Sequence, residues 1–397
     1  MGRQRHLIVD TLPTRLWAAG LALLVLAVVL IVWTTHSRSE ASRVSLPPGS
    51  PPQLTLTDGV ERVFVPPGKA EAPSLSTDGR ALVYAQKIYE DELLDYEIDS
   101  VWLARPDASG RWETAPLVEG RRAIVGEMRS YFNPSFDADG RRVFTGNGSF
   151  WNVLVVPVLP SVRVSLDVVS LADRQLRRFV APADLGMPKE VILHPKVSPD
   201  GRWLAFYTRK RKETRGIYLL HLETRRLHRV SAEDDKHPTW APDGKRLLFH
   251  HQRGGQAVDP VPKGFPEQAY LGYFDLTFDG RDGVSARRVL MDPVADHYVY
   301  RKHPTLPPGT DLVFFHSRLE PAGPHLLMVR RLGIETPAHL VAAVVDGERI
   351  KEAKHPATAV TSPEFLFLGK SRREKEYSFY RLTPAALRAI DAQLPKA

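Results

Sequence analysis

Four histidines stand directly before a proline, at His194, His237, His303 and His355, and a lysine precedes three of them, at Lys236, Lys302 and Lys354. Imidazole is a common metal ligand, and imidazoles beside ammonium groups also suit an anionic ligand. If the four steps are equivalent in the fold, their rings approach one another at one level, at the mouth of a channel. The plainer reading gives each imidazole a backbone partner inside its own segment. The sharper one is a shared ligand site built from His194, His237, His303 and His355 with Lys236, Lys302 and Lys354. A divalent metal is the narrowest version of that site, and it needs ring nitrogens within about 2.1 Å of one ion. No other cofactor is expected.

The remaining polar groups point to no reaction. His250, His251, His297 and His316 either reach the same channel or cap strand ends. Glu90, Asp91, Glu92, Asp95, Glu97 and Asp99 crowd one short stretch without the spacing of a calcium loop, and read as a solvated acidic loop. There is no cysteine, no Gly-x-Ser-x-Gly elbow, no phosphate-binding Gly-x-x-x-x-Gly-Lys and no His-Glu-x-x-His. No catalytic residue is assigned. The formal charge is +8, from 54 basic and 46 acidic residues, but basic runs such as Arg209–Lys212 and Arg372–Arg373 alternate with acidic ones such as Glu233–Asp235. Nucleic-acid binders concentrate their charge on one face, so a nucleic-acid partner is not expected.

The elements that must position these residues come from a repeat. Six segments align: APSLSTDGRALVYAQ from Ala72, NPSFDADGRRVFTGN from Asn133, HPKVSPDGRWLAFYTR from His194, HPTWAPDGKRLLFHHQ from His237, HPTLPPGTDLVFFHSR from His303 and HPATAVTSPEFLFLGK from His355. Each begins with a marker proline, after which a short strand is expected to start. The first four then carry a structural Asp-Gly turn, at Asp78-Gly79, Asp139-Gly140, Asp200-Gly201 and Asp243-Gly244, where glycine accepts positive φ. An apolar strand follows. In the third copy two more β-rich runs, Gly216–Leu222 and Arg226–Val230, complete a four-stranded antiparallel meander. The insertion from Gly254 to Gln268 is rich in Gly and Pro and reads as a loop.

Four-stranded units repeated radially are the blades of a β-propeller, so six copies predict an all-β, six-bladed β-propeller over residues 57–382. The wording of the repeat, shown best by Pro238–Phe249, resembles the WD40-like repeats of TolB-type propellers. The resemblance spans roughly residues 57–382 and implies a role in envelope protein assemblies. TolB itself carries a further N-terminal α/β domain and is released into the periplasm, so its particular partners are not carried over. The last copy supplies three strands only, and Gly59–Val65 has the alternation to provide the fourth. Thr383-Pro384 then starts a short C-terminal helix and tail over residues 383–397.

Upstream, Leu16–Trp33 contains no charged side chain and follows Arg3, Arg5 and Arg15. Eighteen residues of helix reach about 27 Å, close to the ~30 Å of bilayer hydrocarbon. Residues 16–34 are therefore expected to be a transmembrane signal anchor, with residues 1–15 cytoplasmic and residues 35–56 a Pro-rich stalk. A cleaved leader ending near Ala41 is the alternative, but its apolar core is usually shorter. Either way the propeller is placed outside the cytoplasm, in the first case on a single pass through the inner membrane.

Two functions compete. The first is a membrane-anchored, extracytoplasmic, non-catalytic scaffold of the bacterial cell envelope that binds a protein or ligand, with an envelope protein as partner. The second is a metal-dependent lyase, or another enzyme, acting on an acidic saccharide. The His-Pro repeats are similar to those of oligogalacturonate lyases, propellers that hold manganese with histidines. That likeness covers the repeat only, and the anchor does not suit the cytoplasmic role of those enzymes.

Overall fold

The structure is a computed structural model, and it describes residues 49–91, 96–123, 125–153, 156–253, 267–292, 299–335 and 337–396. The expected anchor, the stalk up to residue 48, His297 and most of the Gly254–Gln268 insertion lie outside the described residues. Among the described residues no helix is long and apolar enough to cross a membrane.

Two short strands come first, β1 (Gln53–Leu56) and β2 (Val60–Phe64). Four-stranded antiparallel groups follow in chain order: β3 (Ala70–Leu75), β4 (Leu82–Asp91), β5 (Tyr96–Pro106) and β6 (Trp112–Val118), then β7 (Val125–Phe136), β8 (Arg142–Val153), β9 (Val156–Ser170) and β10 (Leu176–Val180). Next come β11 (Leu193–Val197), β12 (Trp203–Thr208), β13 (Gly216–His221) and β14 (Leu227–Arg229), and β15 (Asp235–Trp240), β16 (Arg246–Arg253), β17 (Gln268–Phe278) and β18 (Val284–Leu290). The chain continues with β19 (Tyr300–Thr305), β20 (Leu312–Arg318), β21 (Leu326–Arg331) and β22 (His339–Val345), and ends with β23 (Glu348–Thr358), β24 (Phe365–Ser371) and β25 (Ser378–Leu382). The last group gains its fourth strand from the other end of the chain, because β2 pairs antiparallel with β25, Val60 opposite Leu382. The first strands touch in the order β3, β7, β11, β15, β19, β23, and β23 touches β3.

Both faces of several second strands are buried along their first half, which explains consecutive apolar residues such as Trp203–Tyr207, Leu312–Phe315 and Phe365–Leu368. Trp203, Ala205 and Tyr207 pack with Leu247 and Phe249 of the next group, while Leu204 and Phe206 face the preceding one with Phe144 and Leu166. Leu248 in turn packs on Val313 and Phe315. Successive side chains leave a strand on opposite faces, so one run of five apolar residues glues two neighbours.

Two expectations about boundaries change. Gln53–Leu56 is not stalk: β1 pairs in parallel with β22, and Leu54 and Leu56 are buried because their alternation matches the pleat. The marker proline does not precede the first strand of each group but lies within it. The residue before it has φ near +50° in all six copies, Ala72, Asn133, His194, His237, His303 and His355, and the pairing register slips at each of these places. This is a bulge, and proline, lacking an N–H, fits where the ladder already misses a bond.

The Asp-Gly turns behave as expected. Asp78 Oδ1 accepts from Ser76 Oγ at 2.7 Å and from the Arg80 N–H at 3.0 Å, and the glycines at 79, 140, 201 and 244 have φ of 76°, 68°, 73° and 65°. At Gly79 a Cβ would also lie 2.6 Å from Ser362 Oγ, so space as well as φ demands glycine. A single helix, α1 (Pro384–Gln393), follows the last strand, and the Ala386 N–H donates to Thr383 Oγ1 at 3.3 Å as its N-cap.

Candidate functional site

The six bulges re-aim six side chains, but only four of these are imidazoles. Ala72 and Asn133 adopt the same backbone, so the conformation does not by itself require histidine. His194, His237, His303 and His355 form a row with ring centroids 3.8, 4.1 and 4.5 Å apart. Three more imidazoles join it. His250 on β16 stands edge-on to His237 at 4.6 Å, His316 on β20 lies 4.9 Å from His303, and His325 lies 4.8 Å from His316. Tyr207 of β12 stacks on His194 at 5.6 Å. Tyr207, His250 and His316 are equivalent: each pairs with the residue just before a bulge histidine, Leu193, Lys236 and Lys302. Their signal in the sequence was an imidazole repeated at one register position of two second strands.

The row lines a cavity of about 110 Å³, together with Ser74, Ser135, Lys196, Thr239 and Thr305 and with turn residues Thr77, Ala138, Pro199 and Pro242. From His194 to the turn at Ser198 the chain advances four residues, about 13 Å of strand, so the rings and the turn residues line the cavity at different levels.

Burial holds the imidazoles of His194, His237, His250, His303, His316 and His355 well below their ordinary value, and neighbouring positive charge adds to it. His325 is pushed down to about 4, again chiefly by burial. All seven are neutral at pH 7. The plainer reading of the sequence does not hold for them: among the described residues no ring nitrogen of the four bulge histidines bonds to backbone of its own repeat. His316 Nδ1 instead accepts the His355 N–H at 3.1 Å. His237 Nδ1, His355 Nδ1 and both nitrogens of His250 are buried with no partner. His250 is 0% exposed.

Such unpaired polar atoms cost stability. His250→Leu, which removes both orphaned nitrogens at little change in volume, is expected to stabilise the protein by about 1–3 kcal/mol. The check is a thermal or urea melt, and a loss of stability instead of a gain would mean that the ring is bonded in the folded protein. His251, next in sequence, points the other way and serves structure: its Nδ1 lies 3.0 Å from Asp235 Oδ1, which Arg288 also holds at 2.8 Å.

The three lysines that precede bulge histidines are not free cations. Lys236 pairs with Asp234 at 3.3 Å and donates to Gln252. Lys302 pairs with Glu267 and lies 4.5 Å over the Tyr300 ring. Lys354 pairs with Glu71 at 3.5 Å and lies 4.5 Å over Tyr377. Sequence reading missed Lys196, two residues past His194, whose ammonium burial pushes down to about 8. Aligning the copies places it in a column with Ser74, Ser135, Thr239, Thr305 and Ala357, and its charge stands out there.

In the acidic stretch, Glu92 and Asp95 lie outside the described residues. Glu90 and Glu97 close on Lys87 at 2.7 and 2.6 Å, and burial, then Glu97 and Glu71, pushes Asp99 up to about 7.

Whether the histidines fit a manganese ion can be judged from their donors. Manganese prefers oxygen ligands, and no ion pair links any carboxylate to the seven clustered imidazoles among the described residues. Among the described residues no three His, Asp or Glu side chains stand so as to share one metal ion. The arrangement does not fit manganese.

No protein-family model matches the chain, and comparison with curated proteins gives no match. Solved structures similar to it include a Trypanosoma rangeli sialidase, at 10% identity and TM-score 0.51 over 85% of this chain and 61% of that one. TolB from Acinetobacter baumannii is similar at 16% identity and TM-score 0.46, over 73% of this chain and 57% of that one. An oligogalacturonate lyase in complex with manganese follows at 13% and 0.45, over 87% of this chain and all of that one. The chain spans 57% and 66% of the two TolB structures it resembles. At these identities the likeness concerns the fold, an all-β architecture with β-propellers among its neighbours.

Proposed function

We propose that the chain is a membrane-anchored, extracytoplasmic, six-bladed β-propeller that serves the bacterial cell envelope as a non-catalytic binding scaffold, and that its central channel is the binding site. Three separate four-stranded sheets and one thirteen-stranded sheet that contains three further antiparallel groups, with the six first strands in cyclic contact and β2 pairing with β25, support the closed ring. The apolar run Leu16–Trp33 supports the inner-membrane anchor and the periplasmic location. The observation that carries the binding role is the row of imidazoles that lines the cavity, His194, His237, His303 and His355, with unpaired buried nitrogens on His237 and His355. Buried polar groups are normally bonded, so orphans clustered around one space point to a missing partner. The non-catalytic reading rests on orientation. A general base is usually held by a carboxylate on its second nitrogen, and the partners of these imidazoles are other imidazoles and Tyr207.

The test is a pull-down from solubilised membranes with the full chain and with a chain starting at Leu46, each in wild-type and His237→Ala/His303→Ala form. The expected result is one envelope protein recovered by both wild-type chains, with metal content below stoichiometry. Stoichiometric manganese or zinc, lost in the double variant, would overturn this reading in favour of a metal-dependent enzyme on an acidic saccharide.

A further inference from the structure

We propose that the channel takes a small oxyanion, a carboxylate or phosphate group, held between the Lys196 ammonium and the imidazole row; this rests on the channel being the binding site. Lys196 projects from β11 into the cavity, two residues beyond the bulge. The other lysines beside the row, Lys236, Lys302 and Lys354, each have a carboxylate partner, whereas Lys196 has none among the described residues. The carboxylate lining the same cavity, Asp137, is committed elsewhere. It accepts from Arg142 Nε at 2.7 Å and from the backbone N–H groups of Arg141 and Arg142.

The charged neighbours of His194 are basic, Lys196 and Arg209, whereas the lysines nearer His250 and His316 are offset by Asp234, Glu267 and Glu71. A site with that surrounding charge repels a divalent cation and attracts an anion. Each neutral imidazole carries one N–H, and His237 and His355, which line the cavity, each have a nitrogen still unpaired, so donors are available to oxyanion oxygens. The volume, about 110 Å³, suits a group of a few heavy atoms with some water.

Titration calorimetry of the full chain in detergent with inorganic phosphate and with acetate, at fixed ionic strength, tests this. Wild type is expected to bind one of the two saturably. Lys196→Met is expected to weaken binding at least tenfold and Lys196→Arg to retain most of it, with both variants melting near wild type. Binding by phosphate alone or by both would assign the group as phosphate or as any oxyanion, and binding by acetate alone would assign a carboxylate. Equal binding by wild type and Lys196→Met, or no saturable binding of either anion, overturns the proposal. The underlying site is judged separately: if His237→Leu/His303→Leu loses the recovered envelope partner while Lys196→Met keeps it, the channel stands and only the anion fails.

Discussion

Taken from pH 7 to pH 5, the protein is expected to lose several kcal/mol of stability, about 1 kcal/mol or less for each buried imidazole per pH unit. Six imidazoles are held neutral well below their ordinary value, chiefly by burial. The unfolded chain protonates them near pH 6.5, so below that pH it binds more protons than the folded chain. Stability therefore rises with pH up to about 6.5 and falls below it, by at most about 1.4 kcal/mol per pH unit for each ring. Six such rings set a ceiling of about 8 kcal/mol per unit, lowered by the partial exposure of His194, His237, His303 and His355, against a typical total of about 5–15 kcal/mol. Asp99, Asp137 and Asp167, raised by burial, act in the opposite sense, but they are outnumbered two to one. Urea melts at pH 7.5, 6.5 and 5.5 check this. A midpoint that stays level across the series would show that the row is already bonded or charged in the folded state.

A chain beginning at Val65 is expected not to fold as a monomer. It lacks β1 and β2 and with them the buried Leu54, Leu56 and Val60. It also loses Phe64, whose ring stacks on Phe379 at 4.8 Å. Each of these contributes about 1.5–3 kcal/mol by burial, so together they amount to the order of a whole domain's stability. The ion pair of Glu61 with Arg381 at 2.5 Å is lost as well, and β25 becomes an open edge that invites pairing between chains. The chain from Leu46, which keeps both strands, is the control. Size-exclusion chromatography and circular dichroism decide the matter: a monomeric, fully β chain from Val65 would show that the pairing of the two chain ends is dispensable.

Much of the fold was legible because its signals are local. The marker prolines, the Asp-Gly turns and the Thr383-Pro384 helix start act over a few residues, and the structure places a bulge, a positive-φ glycine and an N-cap at those points. The pairing of β2 with β25 was legible for a different reason, since one group was short of a strand and one strand was short of a group. The site was only half legible. Its four bulge histidines were visible as a column in the repeat, but the column could not show that Lys302 and Lys354 are tied to acids, because Glu267 and Glu71 come from distant stretches of chain.

What the sequence determined by itself, then, is the repeating unit and its turns, because a proline without an N–H and a glycine free of a Cβ restrict the backbone wherever they stand. Only the tertiary structure decided which side chains meet. His194 and His355 are 161 positions apart in the chain yet belong to one row, joined through His237 and His303; Lys196 lines the same cavity, and His250 and His316 back the row from the second strands. The physical cause is that first strands from separate groups touch one another, and the bulges of four of them bring their imidazoles to one cavity.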